Sequence, residues 1–104
     1  MTPTARSLAY LRKQGYLVDI YERWKGPVRK DLFGIFDLIA IGHYVVKQGI
    51  VGIQVTTGSN HAARRAKLLA TASLQSWKLA GGGALILSWR QGKGKRWEPR
   101  LEWL

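Results

Sequence analysis

The sequence predicts an α/β domain in which a mixed β-sheet is flanked by helices. Two apolar, strand-like stretches at 35–46 and 50–57 follow each other across a short turn, a helical stretch comes next, and two more strand-like stretches close the chain. A helix between two strands carries the chain back across the sheet, so the strands on either side of it should be parallel. The predicted order is a helix, three strands, a broken helix and two strands.

Length and composition restrict the possible classes of protein. At 104 residues the chain is expected to form one domain, 1–104, around a single core. It contains no cysteine, which excludes disulfides and thiolate metal sites. No apolar run approaches the roughly 20 residues of a membrane helix. The N-terminus has no signal-peptide pattern, so we expect a cytoplasmic protein (host cytoplasm if viral) without a membrane partner.

The charge balance is the sharpest compositional feature. The chain has 17 Lys and Arg against 6 Asp and Glu, a formal net charge of +11. This excess indicates a polyanionic partner, most simply nucleic acid. Two alternatives stay open: the charge serves only solubility, or it serves binding to an acidic protein.

The N-terminal part of the chain predicts one helix and one strand. Thr2-Pro3 is typical of a helix start, with a hydroxyl cap before proline, and Gly15 is typical of a helix end. The stretch 16–24 alternates like a strand, but neither of its faces is cleanly apolar, so it should lie at a sheet edge or contain a bulge. The stretch 25–30, which contains Gly26-Pro27 and three cations, predicts a basic loop.

The central pair of strands contains an unusual acid. Asp37 lies in the apolar run 35–46, and burying a carboxylate is costly unless a cation, a metal or several donors lie next to it. Lys47-Gln48-Gly49 is predicted to form the hairpin turn to the strand 50–57. His43 falls near this turn and needs no functional role.

The second half of the chain predicts helices and then strands. Residues 58–60 break the preceding strand and offer caps for a helix that begins near His61. Thr71 or Ser73 is expected to cap a second short helix, which ends at the glycines 81–83. The strand 84–89 follows, and the stretch 96–104 is predicted to be an edge strand because Pro99 cannot donate to a ladder.

This order, with an acid in the second strand and a polar pair in the third, resembles the PD-(D/E)XK nuclease superfamily. The nearest relatives it suggests are the small archaeal-type Holliday junction resolvases and the VRR-NUC-like phage nucleases. The resemblance covers nearly the whole chain and rests on GIFDLIAI at 34–41, GIQVT at 52–56, the helix, the glycine triplet and the last two strands. It implies a restriction-endonuclease-like core and a Mg²⁺- or Mn²⁺-dependent endonuclease that cleaves branched or otherwise structured DNA as a homodimer.

The resemblance also implies roles for particular residues. Asp37 matches the acid of the second strand and Gln54 the second metal ligand, while Thr56 stands where the family has a lysine that helps to activate water. A hard cation would bind a phosphate oxygen and lower the pKa of its bound water. Because Gln54 carries no charge, Asp31 or Glu22 could supply the missing negative charge. A cation from elsewhere could replace the lysine: Lys25, Lys30 or Lys67.

Cationic and polar side chains flank the candidate acid on both sides in sequence. Such side chains commonly neutralise backbone phosphates, and backbone N–H groups at a helix start can bind a phosphate. The predicted nucleic-acid-binding residues are Lys25, Arg29, Lys30, Ser59, Asn60, His61, Arg64, Arg65 and Lys67. Each cluster alone could be a solvated face, and His61 could equally be a solvent-facing or capping residue.

Two further alternatives complete the interpretation. Most of the five tryptophans are expected in the core or in a dimer interface, but an exposed Trp89 or Trp97 could stack on an unpaired base. Because Gln54 and Thr56 depart from the family pattern, a catalytically inactive nucleic-acid-binding module on the same fold is the alternative to the endonuclease.

Overall fold

A five-stranded mixed sheet with helices on both faces organises the part of the chain that the structure describes. The structure is a computed structural model that describes residues 1–21, 23–42 and 49–104, with the backbone alone at 23–25 and 29. Its elements are α1 (Pro3–Lys13), β1 (Leu17–Ile20), β2 (Arg23–Lys25), β3 (Val28–Lys30), β4 (Leu38–Ile41), β5 (Ile50–Thr57), α2 (His61–Leu69), α3 (Ala72–Leu79), β6 (Gly83–Gln91) and β7 (Trp97–Trp103).

The sheet has the order β1-β4-β5-β6-β7. β5 and β6 are parallel and are connected through α2 and α3, whereas the other neighbouring strands are antiparallel. The predicted mixed sheet and the parallel crossover are therefore confirmed. The predicted edge positions of the first and last strands are also confirmed, since β1 and β7 form the two edges.

The first helix begins where the sequence predicts. The Thr2 hydroxyl oxygen accepts a hydrogen bond from the Ala5 N–H at 3.1 Å, and Pro3 occupies the first helical position. After the helix, Gly15 has a φ of +97°, a left-handed conformation that favours glycine. The chain can therefore turn directly into β1 and place α1 against the sheet.

The core consists of two buried clusters, one on each face of the sheet. On the α1 face, Leu8 and Leu11 pack against β-strand residues that include Ile53, Leu85 and Leu87. On the α2 and α3 face, the cluster comprises Ile35, Phe36, Leu68, Leu74, Ala84 and Ile86. Because period-2 alternation sends neighbouring strand residues to opposite faces, β6 contributes side chains to both clusters.

The predicted strand 16–24 and the predicted basic loop 25–30 are corrected by the structure. β1 ends at Ile20, and a separate two-stranded hairpin, β2–β3, follows it. Gly26, with a φ of +62°, lies in the turn of this hairpin. A Gly-Pro pair supports a tight turn as readily as a loop, so the basic stretch pairs with itself instead of extending the main sheet.

The predicted strand 35–46 begins later than expected. Phe33 and Gly34 both have positive φ values, and the Phe36 N–H donates to the Leu32 carbonyl oxygen at 3.1 Å, so residues 32–36 form a tight turn. β4 then starts at Leu38, directly after Asp37. Residues 43–48, which include His43 and the predicted turn residues Lys47 and Gln48, lie outside the described residues.

Both predicted helices of the crossover are confirmed, although their predicted side-chain caps are not. Asn60 and Thr71 occupy the N-cap positions of α2 and α3, but neither side chain makes a capping hydrogen bond. The Thr71 hydroxyl instead donates to the Lys67 carbonyl oxygen at 2.7 Å. Among the described residues, no helix has the length and apolar character needed to cross a membrane.

Candidate active site

A cleft of about 640 Å³ opens at the carboxyl end of β5, beside the first turn of α1. Four residues that the sequence analysis assigned to catalysis or metal binding line this cleft, together with one cation from α2. These lining residues are Asp31, Asp37, Gln54, Thr56 and Arg64. The structure therefore brings together the predicted catalytic residues, which lie in separate parts of the chain.

Asp37 is held in the cleft by its backbone and by its side chain. Its N–H donates to the Ile53 carbonyl oxygen at 2.9 Å, and its own carbonyl oxygen accepts from the Tyr21 N–H at 2.9 Å. Its Oδ2 accepts from Gln54 Nε2 at 3.0 Å and from the Val55 N–H at 2.8 Å. The side chain is only 5% exposed, so these donors help to offset the cost of burying the charge.

Gln54 and Thr56 leave β5 on the same face because they are two residues apart. Their neighbours Ile53 and Val55 pack in or against the core cluster on the α1 face, so the two polar side chains lie on the opposite face. Both are buried, yet both line the cleft. The spacing in the sequence therefore predicted their common direction correctly.

Phe36 ties the turn before Asp37 to the sheet. Its ring is fully buried and lies so close to Gly52 on β5 that a Cβ at that position would overlap it. The ring also packs against Trp77 of α3, with a distance of 5.1 Å between the ring centroids. The position of Asp37 therefore depends on the absence of a side chain at position 52.

Arg64 is the one cation among the described residues that line the cleft. It reaches the cleft from α2. Lys30 and Lys67, two candidates for the missing lysine, do not line the cleft. The side chain of the third candidate, Lys25, lies outside the described residues. A guanidinium stays charged and can donate two parallel hydrogen bonds to a phosphate. Arg64 was predicted to bind nucleic acid, but nothing in the sequence placed its side chain in the same cleft as Asp37.

The polar side chains of the cleft offer oxygen donors. Asp31 and Asp37 contribute carboxylates, Gln54 an amide oxygen and Thr56 a hydroxyl. No group of three or more His, Asp or Glu side chains able to hold a metal occurs within the described ranges. Mg²⁺ prefers oxygen ligands, and a protein usually holds it with only one or two carboxylates while several waters stay bound. The donor types present are therefore those that a hard divalent cation prefers.

The prediction that His61 contacts a phosphate is corrected, because its side chain is buried away from solvent. Its side chain is buried, with Nδ1 2.6 Å from Ser88 Oγ and Nε2 2.8 Å from Glu102 Oε1. A carboxylate can only accept, so Nε2 carries the proton that it donates to Glu102. Arg65 also donates to Glu102, through Nε. The hydrogen bonds from His61 and then Arg65 lower the pKa of the Glu102 carboxyl below its ordinary value of 4.5.

This cluster of Ser88, His61, Glu102 and Arg65 connects α2 to β6 and β7. Ser88 is as deeply buried as His61, so the cluster is a structural connection that holds α2 against the sheet. Ser88 and Glu102 were not predicted as partners of His61, because 27 and 41 residues separate them from His61 in the chain. Only the alternation of β7, which sends Glu102 to the α2 face, could have suggested the pairing.

The other predicted nucleic-acid-binding residues have different positions. Ser59 and Asn60 are exposed in the short 3₁₀ turn Gly58–Asn60, where Ser59 Oγ lies 3.1 Å from Thr57 Oγ1. Lys30 and Lys67 are exposed, and Arg65 is half-exposed beside Glu102. The side chains of Lys25 and Arg29 and the auxiliary acid Glu22 lie outside the described residues.

A second depression, of about 670 Å³, lies beside the turn Gly58–Asn60. Ser59 and Ser88 line it together with Glu98 and with two arginines that were not among the predicted nucleic-acid-binding residues, Arg90 and Arg100. Two cations and one carboxylate therefore line this depression.

The fold and the cleft define a mixed α/β domain with an oxygen-lined site and a cationic helix beside it. No family model matches the chain, and no curated protein or solved structure matches it significantly. The residues of the cleft and the charge of the chain are therefore the features that bear on function.

Proposed function

We propose that this protein is a metal-dependent endonuclease with a restriction-endonuclease-like core, which hydrolyses phosphodiester bonds in branched or otherwise structured DNA. The observation that carries the proposal is the convergence of Asp37, Gln54 and Thr56 in one cleft with Asp31 and Arg64. Two carboxylates supply a place for a hard cation, and a guanidinium supplies a place for a phosphate. The formal net charge of +11 favours a polyanionic substrate.

Each residue of the cleft has a role in this proposal. Asp37, Asp31 and the amide oxygen of Gln54 would hold Mg²⁺ or Mn²⁺, which when bound polarises a phosphate oxygen and acidifies a water. Gln54 Nε2 donates to Asp37 and so orients its carboxylate. Thr56 would hydrogen-bond the water or the phosphate, and Arg64 would hold a phosphate of the substrate. A two-fold homodimer would place a second site against the second strand of a branched substrate.

A catalytically inactive nucleic-acid-binding module is the second candidate function. It is favoured by two features of the same cleft. Thr56 replaces the lysine of the family that the sequence resembles, and Asp37 Oδ2 already accepts from Gln54 Nε2 and from the Val55 N–H. A carboxylate bonded in this way can serve the fold without binding a metal.

The test is cleavage by Asp37→Asn, compared with the matched control Asp19→Asn. Both variants replace a carboxylate by an amide of the same size, but Asp19 is exposed on the edge strand β1 and does not line the cleft. Labelled four-way junction, flap, duplex and single-stranded DNA would be incubated with Mg²⁺, with Mn²⁺ or with chelator. Because several kcal/mol of Lewis-acid stabilisation would be lost, Asp37→Asn should cleave at least about 100-fold more slowly.

The outcomes separate the two candidates. Metal-dependent cleavage that Asp37→Asn abolishes and Asp19→Asn preserves supports the endonuclease. Cleavage at the wild-type rate in Asp37→Asn contradicts the assignment. Salt-sensitive DNA binding by the wild type, with no cleavage of any substrate and no calorimetric signal for metal, supports the inactive module. No DNA affinity even at low salt contradicts both candidates and points to an acidic protein partner.

A further inference from the structure

Trp97 combines an exposed aromatic ring with a cation stacked on it. The ring is 43% exposed at the start of the edge strand β7. The guanidinium carbon of Arg6, on α1, lies 4.1 Å from its centroid. Trp89, the other tryptophan considered for base stacking, is 5% exposed and donates from Nε1 to Ser7 Oγ at 2.8 Å. Of these two rings, Trp97 alone is accessible to a ligand.

Trp97 lies at the same end of the sheet as the cleft. It pairs with Gln91 at the carboxyl end of β6, and β6 runs parallel to β5, whose carboxyl end carries Thr56. β7 is two strands from β5, a lateral distance of roughly 10 Å. The first turn of α1 connects the two places, because Pro3, Thr4 and Ala5 line the cleft and the next residue, Arg6, covers Trp97.

The charges around Trp97 favour an anionic ligand with a flat, stacking group. Arg6 lies on the ring, and the exposed cations Lys93, Lys95 and Arg96 immediately precede it. The acids of β7 alternate to the other face, where Glu98 pairs with Arg90 and Glu102 with His61. Nucleic acid meets both requirements, since each base has a π-face and each phosphate a negative charge.

A second copy of this chain fits the same surface less well. In a dimer formed through this surface, the cations around Trp97 of one copy would lie against the same cations of the other copy and repel them. Addition of a strand to the open edge of β7 is disfavoured by Pro99, which has no N–H to donate to a ladder.

We propose that an unpaired base stacks on Trp97, supported by Arg6, when the backbone of the same strand runs through the cleft. The proposal deepens the proposed function, because it names unpaired nucleotides near the cleaved bond as part of the substrate. By the strand register, Asp37 lies three strands from β7 and level with Glu102, five residues from Trp97, so the two places are roughly 20 Å apart. That distance corresponds to roughly six nucleotides of a stacked strand.

The test compares Trp97→Ala, Trp97→Phe and Trp103→Ala. Trp103 is the matched control, since it lies on the same face of the same strand and is 45% exposed, but it pairs with Leu85 and lies six residues from Trp97, away from the cations that precede Trp97. Fluorescence anisotropy would measure binding of a short labelled oligothymidine and of a duplex of equal length. Chelator would be present throughout, so failure of the endonuclease proposal would not affect the measurement.

Stacking on one base predicts about a tenfold loss of oligothymidine affinity in Trp97→Ala. Trp97→Phe should keep most of the affinity, Trp103→Ala should match the wild type, and the duplex should bind all four proteins alike. Wild-type affinity in Trp97→Ala would overturn the proposal. So would an equal loss in Trp103→Ala, an equal loss for the duplex, or no oligothymidine binding by the wild type. Conversion of a dimer to a monomer by Trp97→Ala, seen in sedimentation, would assign this face to self-association instead.

Discussion

Replacement of Glu102 by alanine should destabilise the protein through His61. In the wild type the buried His61 side chain donates from Nε2 to Glu102, and Nδ1 lies within hydrogen-bond distance of Ser88. Alanine cannot accept this hydrogen bond and leaves a buried N–H without its partner. A loss of this kind costs about 1–3 kcal/mol.

The second hydrogen bond to Glu102 should contribute less. The Arg65 side chain is 49% exposed, so water can replace Glu102 as its partner. Exposed ion pairs contribute about 1 kcal/mol or less to stability. We therefore expect Glu102→Ala to lower the free energy of unfolding by about 2 kcal/mol, and Arg65→Ala to lower it by about 0.5 kcal/mol.

Urea unfolding monitored by tryptophan fluorescence measures both changes as shifts of the midpoint at constant m-value. Glu98→Ala is the matched control, because Glu98 lies four residues before Glu102 on β7 and pairs at 3.7 Å with the exposed Arg90. It should change stability by less than about 0.5 kcal/mol. If Arg65→Ala lowers the free energy of unfolding as much as Glu102→Ala does, this prediction is refuted. The exposed ion pair of Arg65 and Glu102, and not the hydrogen bond from His61, would then supply the stability.

The stability that Glu102 contributes should depend on pH. The pKa of Glu102 is lowered in the folded protein, mainly by the His61 hydrogen bond, so the unfolded chain binds its proton more readily. Its contribution to stability is therefore present above the ordinary value of 4.5 and is lost as the pH falls through the lower folded value. The difference in stability between wild type and Glu102→Ala should narrow in acid. A difference that widens below pH 4.5 would contradict this assignment.

Two further substitutions test the cleft. Gly52→Ala would place a methyl group against the buried ring of Phe36 and should lower stability by about 1–3 kcal/mol. It should also reduce any cleavage activity, because a shift of Phe36 would move the next residue, Asp37. Urea unfolding at the wild-type midpoint would contradict this prediction, because it would show that the turn 32–36 accommodates the methyl group without a loss of stability. Arg64→Ala should weaken DNA binding and reduce the salt slope by about one, whereas Lys78→Ala on α3 should leave the slope unchanged, as measured by titrations at several salt concentrations.

The sequence by itself determined the features that depend on neighbouring residues. The Thr2 hydroxyl followed by Pro3 was sufficient to locate the start of α1, because a capping side chain acts within one turn of the helix. The helices between two apolar strands determined the parallel pairing of β5 and β6. The spacing of Gln54 and Thr56 determined that they share a face, since side-chain direction alternates with a period of two along a strand. Pro99 placed the last strand at an edge.

Only the tertiary structure decided which of the polar and aromatic residues meet. His61 and Arg64 lie on the same helix, yet one is buried beside Glu102 and the other lines the cleft. Arg6 and Trp97 come together from opposite ends of the chain. Local patterns determine the conformation of a segment and the direction of its side chains. The partner of each side chain depends on how helices and strands pack, and that packing depends on contacts between residues far apart in the sequence.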